Sequence, residues 1–272
     1  MGRRIRKSGV VERLNLRAFD TSRFRWSLVA QMLAQPYPLS IRVVVPLVVL
    51  MLLVPFYIFI GALMMPGRTL HVPELALDRV VLLQPTWCLV YGSLYVFVVL
   101  PLLVVRQEEQ IFRTVLAYLM VWIVAYVCFL VYPTIAPRPA NVIGEGFFAW
   151  GLRFLYSADP PYNCFPSLHV AHSFVSALTC YRVNRGVGIA AVLWASLIGV
   201  STLYTKQHYI VDVFAGIFLA YVAYVMFLRS YPREAVPELD RRLAPVLALG
   251  FVGIHGLMVA CFWVAYQMRG VV

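Results

Sequence analysis

Pro166-Ser167-Leu168-His169 opens the stretch that decides how this chain folds, and Thr205-Lys206-Gln207-His208-Tyr209-Ile210-Val211-Asp212 closes it. Between them lie two apolar segments joined by Tyr181-Arg182-Val183-Asn184-Arg185. Segments of that length cross a membrane as helices. The chain leaves one face at His169, turns on the far side and returns at His208. Arg138-Pro139 follows an earlier apolar segment and falls on the same face. Two histidines, an aspartate, an arginine and a lysine on one side of a membrane are the ingredients for handling a phosphate.

Composition supports a membrane setting. Of 272 residues, 62% are hydrophobic and 13% charged, too apolar for a soluble domain of this length. The net charge of +11 is carried almost wholly by arginine, because Lys7 and Lys206 are the only lysines. Most of the arginine lies between apolar segments, which fits membrane topology and gives no reason to expect a nucleic-acid partner. The cysteines are Cys88, Cys128, Cys164, Cys180 and Cys261, with no CxxC pair. Four sit in apolar runs as packing residues; Cys164, in a loop, is a candidate free thiol. No short apolar core with a small-residue cleavage site marks a signal peptide in the first 40 residues.

Seven apolar segments are expected to be helices, roughly 43–65, 80–105, 113–132, 167–183, 187–205, 209–228 and 243–267. Residues 1–40 form a basic N-terminal piece with eight arginines and lysines interleaved with apolar residues. It reads either as an interfacial amphipathic helix or as a basic tail that fixes topology. Residues 41–230 are expected to form one membrane domain, and 231–272 a loop with the seventh segment. Arg106, Arg113, Arg182, Arg185, Arg229, Arg233, Arg241 and Arg242 fall on the N-terminal side of the membrane. That excess places the N-terminus in the cytoplasm and the histidines on the opposite face. The loop 133–166 carries Phe147, Phe148, Trp150, Leu152, Phe154 and Leu155. Two readings stand: a short interfacial helix near where a lipid comes in, or a lid packed on the bundle.

Asp212 is the only acidic residue inside an apolar segment and demands a partner. His208, four residues earlier, shares its helical face, so the carboxylate can fix one ring nitrogen and leave the other exposed. An imidazole held that way is a nucleophile, a general base or a metal ligand. Pro166 and Ser167 suit a helix start, where unpaired backbone N–H groups and the macrodipole favour an anion. His169 in that turn is a candidate proton donor to an ester oxygen. His172 is either a further site residue or a hydrogen-bonded packing histidine. Arg138 lies in a proline-stiffened segment and is a candidate for bidentate phosphate binding. Lys206 reads as a phosphate contact or as an interfacial snorkelling residue.

These residues resemble the type 2 phosphatidic acid phosphatase (PAP2) superfamily, in its membrane branch. Its motifs are Lys-x6-Arg-Pro, Pro-Ser-Gly-His and Ser-Arg-x5-His-x3-Asp. Here the second is Pro166-Ser167-Leu168-His169 and the third Ser201-Thr202-x5-His208-x3-Asp212. The first keeps only Arg138-Pro139. Val131 stands where the family has its lysine, and Thr202 where it has the arginine of the third motif. Two phosphate-binding cations are thus absent, and Lys206 is the candidate replacement for one. The leucine in Pro-Ser-Leu-His, the Thr-Lys-Gln-His form and Leu83-Gln84-Pro85-Thr86-Trp87 are similar to the inositol phosphotransferase-like branch, which includes fungal inositol phosphorylceramide synthase. The resemblance spans roughly residues 75 to 230.

The resemblance implies an all-α fold: a polytopic membrane helix bundle with a six-helix core, to which 243–267 adds an extra C-terminal transmembrane helix. It implies a phosphohistidine mechanism without cofactor or metal. His208 attacks phosphorus, Asp212 orients it, and His169 protonates the leaving alcohol and then activates water or an acceptor hydroxyl. Arg138, Ser167 and Lys206 are the expected phosphate contacts. The partners are a membrane lipid phosphate and the bilayer, and the expected location is a bacterial inner membrane with the site on the periplasmic face. Hydrolysis of a lipid phosphate is read ahead of phosphoinositol-type headgroup transfer to a lipid hydroxyl. Two alternatives stand beside it: a metal site of His169, His172, His208 and Asp212, and a non-catalytic lipid transporter.

Overall fold

The computed structural model describes residues 26–34, 37, 39–64 and 67–269. Helix α1, Trp26–Ala34, belongs to a separate N-terminal unit. The rest of the interfacial helix or basic tail expected over residues 1–40 lies almost wholly outside the described residues.

From Tyr37 onward the apolar segments become helices: α2 (Ile41–Met64), α6 (Glu108–Val131), α8 (Leu168–Val183), α9 (Arg185–Tyr204), α10 (Ile210–Ala223) and α11 (Glu238–Met268). Among the described residues five stretches are long and apolar enough to cross a membrane, Ile41–Ala62, Glu108–Val131, Arg185–Tyr204, Ile210–Leu228 and Glu238–Met268. Exposed Ile41, Met51, Leu52, Ile58 and Phe59 on α2, and Leu249, Val252 and Leu257 on α11, present hydrocarbon outward, as a bilayer requires. Pro46 and Pro55 in α2 and Pro245 in α11 sit inside helices, which a membrane setting tolerates. Among the described residues there is no β-strand, only the isolated bridges His71 to Thr134 and Ile135 to Tyr162.

Two of the seven expected segments are not among these five: 167–183, which is the 16-residue α8, and 80–105. Residues 80–105 were expected as one continuous helix. The chain instead runs as a loop to Gln84, then as a 3-10 turn at Pro85–Trp87 and three short helices, α3 (Cys88–Gly92), α4 (Leu94–Phe97) and α5 (Leu100–Val104). Pro101 has no N–H to give to the carbonyl four residues back. The Ser93 hydroxyl takes the Val90 carbonyl at 2.6 Å and competes with the helical ladder.

The core joins α2, α6, α8, α9 and α10 around buried Val121, Phe129, Val170, Val175, Ala195 and Ile198. Asn184 caps the α8–α9 hairpin: its side chain accepts from the Val187 amide at 3.1 Å. Where α10 crosses the start of α8, a Cβ at Gly216 would meet the Ser167 carbonyl oxygen at 2.6 Å, so only glycine lets the two helix starts approach this closely. In loop 133–166, α7 (Phe147–Ala158) packs on the bundle through Ala149, Leu152 and Leu155 against Cys88 and Tyr91. Its outer aromatic edge meets α11: Phe147 lies 5.1 Å from Trp263 and Phe154 5.1 Å from Phe262. The C-terminal helix therefore packs against α7 of this loop.

Candidate active site

The turn between α9 and α10 presents His208. Helix α9 ends in a Schellman arrangement, with the Lys206 amide on Leu203 O at 3.1 Å and the Gln207 amide on Thr202 O at 2.9 Å. Lys206 takes the left-handed conformation there, at φ 54°. That conformation costs a side-chain-bearing residue about 1–2 kcal/mol and usually falls to glycine. Helix α10 starts one turn later, and Asp212 Oδ2 reaches back to the Tyr209 amide at 2.9 Å. The same oxygen lies 3.4 Å from His208 Nδ1. Asp212 is fully buried, and its Oδ1 has no partner among the described residues.

The start of α8 is tied to the start of α10 through the backbone: the Ser167 amide donates to the Asp212 carbonyl at 3.1 Å. This link and the close approach at Gly216 set His169 against His208. The two rings touch, His169 Nδ1 to His208 Nε2, at 2.9 Å. On its other side His169 Nε2 lies 3.2 Å from the Tyr91 hydroxyl, which also donates to Asp159 Oδ2 at 3.2 Å. Tyr57 donates to the other oxygen of Asp159 at 3.1 Å. A continuous polar chain thus runs Asp212, His208, His169, Tyr91, Asp159, Tyr57.

Arg138 enters beside it. Its Nη1 donates to the carbonyls of Asp159 at 2.6 Å and Tyr156 at 3.3 Å, and its Nη2 donates to Gln207 Oε1. Nη2 is also 3.8 Å from the Asp159 carboxylate. The guanidinium lies over the Tyr156 ring, 4.6 Å from its centre, and the Tyr156 hydroxyl donates to Thr205 O at 2.7 Å. Arg138 Nε and Gln207 Nε2 are buried nitrogens without a partner among the described residues. Thr134 Oγ1 accepts from the Cys164 and Phe165 amides at 2.9 and 3.1 Å, fixing the chain just before Pro166. Cys164 is a free thiol, as its loop position suggested, but it is buried, and burial pushes its thiol well above the ordinary value.

Of the residues singled out in the sequence, His169, His208, Asp212 and Arg138 converge. Ser167 stands beside them as the N-cap of α8, its Oγ accepting from the Val170 amide at 3.3 Å. Its own amide is committed to Asp212, so the anion-facing groups at this helix end are the next two amides, of Leu168 and His169. Lys206 points elsewhere: its Nζ donates to the Asp78 carbonyl at 3.2 Å. His172 lies one turn along α8 against Trp122 and Tyr118. Among the described residues no three His, Cys, Asp or Glu side chains are grouped to hold a metal ion. Sequence reasoning missed Asp159, Gln207 and Tyr91. Asp159 carried a signal, as the only acid between Glu145 and Asp212. Gln207 is neutral and Tyr91 sat unmarked in an apolar run.

The sequence profile of the PAP2 superfamily matches residues 70–226. A PA-phosphatase related-family protein of Dictyostelium discoideum is 26% identical over 121 residues, 40% of this chain and 22% of that protein. An uncharacterised protein of Methanocaldococcus jannaschii is 28% identical over 95 residues, 35% of this chain and 39% of its own. The matched stretches therefore span about a fifth and two-fifths of these relatives' own lengths. No solved structure matches the chain.

Proposed function

The chain belongs to the PAP2 superfamily, and from that premise we propose that it is an integral membrane phosphatase that hydrolyses a lipid phosphate through a phosphohistidine on His208. The observation that carries this reading is the contact of His169 with His208, with Asp212 behind one ring and Arg138 alongside. His208 Nδ1–H donates to Asp212, which leaves the Nε2 lone pair for phosphorus. In the first step Nε2 attacks, the P–O ester bond breaks, and His169 gives its proton to the departing alkoxide. In the second, His169 takes a proton from water, the hydroxide oxygen attacks phosphorus, and the P–N bond breaks to release phosphate.

The polar chain ties the two histidines to two carboxylates: His208 contacts Asp212, and His169 reaches Asp159 through the Tyr91 hydroxyl. For phosphorus to reach His208 Nε2, the 2.9 Å contact with His169 Nδ1 has to open. The buried Arg138 Nε and Gln207 Nε2, with the helix-end amides of Leu168 and His169, are donors for the phosphate oxygens.

Arg138→Ala is expected to weaken binding of vanadate or tungstate by about 10-fold or more, since a hydrogen bond to a charged group contributes about 1.5–3 kcal/mol. Lys206→Ala separates two readings of that residue in the same titration. Weakened binding means the side chain swings from Asp78 to the phosphate as a stand-in for the absent family cations. Unchanged affinity restricts it to the turn and the Asp78 carbonyl.

The N-terminus is proposed to be cytoplasmic and the site periplasmic or extracellular, as the arginine asymmetry requires. Cysteines placed at Asn141 and Glu234 are then expected to label from opposite sides of sealed vesicles; labelling from one side overturns the orientation. The reaction itself is tested with purified protein on a panel of phospholipids and isoprenyl phosphates, reading free phosphate and new phospholipids. Phosphate release supports hydrolysis. A new phosphodiester with little free phosphate favours headgroup transfer, to which the Pro-Ser-Leu-His form is similar. Neither product contradicts an enzymatic function.

A further inference from the structure

His208 has its carboxylate one turn along its own helix. His169 reaches one from a distant part of the chain. Its Nε2 lies 3.2 Å from the Tyr91 hydroxyl and 3.8 Å from Asp159 Oδ2, and Tyr91 donates to that same oxygen at 3.2 Å. Tyr57 on α2 donates to Oδ1 at 3.1 Å. Tyr91 is fully buried and Asp159 nearly so. Elements outside the histidine motifs put these groups in place. The Gln84 amide donates to Tyr204 O at 2.9 Å and Trp87 stacks on Tyr204 with ring centres 5.0 Å apart, which ties the start of α3 to the end of α9. Asp159 is the C-cap of α7, the helix that packs on α3.

The plain alternative is that Asp159 serves only as counter-ion to Arg138. The distances favour other partners. Arg138 bonds the Asp159 backbone carbonyl at 2.6 Å, while its guanidinium stays 3.8 Å from the carboxylate. The nearest partners of the carboxylate are the two phenols. A carboxylate only accepts, so each phenol spends its one proton there. The Tyr91 oxygen is then left to accept, and the group that faces it is His169 Nε2.

We propose that Tyr91 and Asp159 are a second orienting pair, which holds a ring proton of His169 on Nε2 and leaves Nδ1 as the atom that gives and takes the proton in catalysis. The inference rests on the phosphatase reading and deepens it. The nitrogen that bonds a fixed acceptor keeps its proton, and the chemistry falls to the other one. His169 Nδ1 is on the His208 side, 2.9 Å from Nε2, where phosphorus and the leaving oxygen arrive. When Nδ1 takes a proton from water in the second step, the charge forms on a ring whose Nε2 is 3.8 Å from the Asp159 carboxylate. An opposite charge at that range stabilises it. Tyr91 and Asp159 touch no reacting atom; they act through His169 and are positioning residues.

The test measures phosphoenzyme formation by rapid quench in Tyr91→Phe and Asp159→Asn, on an alkyl phosphate ester and on nitrophenyl phosphate. Tyr91→Phe keeps the buried ring and removes only the hydroxyl, so it decides alone should Asp159→Asn fail to fold. On the alkyl ester each variant is expected to lose about 10-fold or more, part of the roughly 10²- to 10⁴-fold a general acid contributes. On nitrophenyl phosphate, whose leaving group needs no proton, the loss is expected to stay under about 3-fold. Vanadate affinity is expected to hold at or above wild type, because Arg138 keeps its backbone contacts. In a His169→Ala background Tyr91→Phe is expected to cost nothing further, since it acts through that ring. Equal losses on the two substrates, or weakened vanadate binding, would assign the pair to holding Arg138 or the site as a whole and overturn the proposal. So does a loss that persists undiminished in the His169→Ala background. If the wild type releases phosphate from neither lipid phosphates nor nitrophenyl phosphate, the phosphatase reading itself fails, and this inference with it.

Discussion

Asp212→Asn is expected to fold and to lose about 10³- to 10⁴-fold in turnover, the scale on which a wrong histidine tautomer acts in related acid–histidine pairs. The carboxylate is fully buried and makes two contacts through one oxygen, the Tyr209 amide at 2.9 Å and His208 Nδ1 at 3.4 Å. Only one asparagine atom can occupy the Oδ2 position. Its oxygen there keeps the Tyr209 cap and the Nδ1–H contact but removes the negative charge that stabilises the imidazole as Nε2 attacks; its nitrogen there makes Nδ1 an acceptor, puts the ring proton on Nε2 and gives up the cap. Thermal unfolding in detergent should therefore be close to wild type while the rate collapses. Activity within about 10-fold of wild type would mean that Asp212 serves the helix cap and does not set the tautomer.

His169→Ala separates proton donation from nucleophilic attack. A positioned general acid contributes about 10²- to 10⁴-fold, and the contribution depends on how badly the leaving group needs a proton. With an alkyl ester, phosphoenzyme formation in the variant is expected to slow over that whole range. With nitrophenyl phosphate, whose leaving group departs as a stable anion, the loss in the same step should be under about 10-fold. Rapid-quench measurement of the first turnover reads both. Equal losses on the two substrates would assign His169 to positioning His208, consistent with their 2.9 Å contact, and remove it as the acid.

Much of this site was legible because its residues are anomalous where they occur. Asp212 is charged in an apolar run, His208 is one turn before it, and Pro-Ser-Leu-His opens a helix, so pattern and spacing carry the pairing. The helices were legible for the same reason, except at 80–105, where Pro101 and the Ser93 hydroxyl break a run that hydropathy alone joins. The second half of the polar chain was not legible. Tyr91 is 78 residues from His169 and Tyr57 is 102 from Asp159, and nothing local to either tyrosine says that its hydroxyl faces a carboxylate. Asp159 was visible as a lone acid but had no partner at helical spacing. Its partners come from three separate stretches of chain. Lys206 differs again. Adjacency to His208 suggested a phosphate contact; its side chain, on a left-handed backbone, reaches the Asp78 carbonyl, and the alanine variant decides between the two.

The most direct measurement of the central claim is the fate of phosphorus in the first turnover. Protein mixed briefly with a phosphorus-labelled lipid phosphate and quenched is expected to carry label that is lost in acid, survives base and maps to the peptide containing His208. That chemistry distinguishes a phosphorus–nitrogen bond from a phosphate ester. Label that persists in His208→Ala, or that survives acid on a serine or threonine peptide, would contradict the account and move the nucleophile elsewhere.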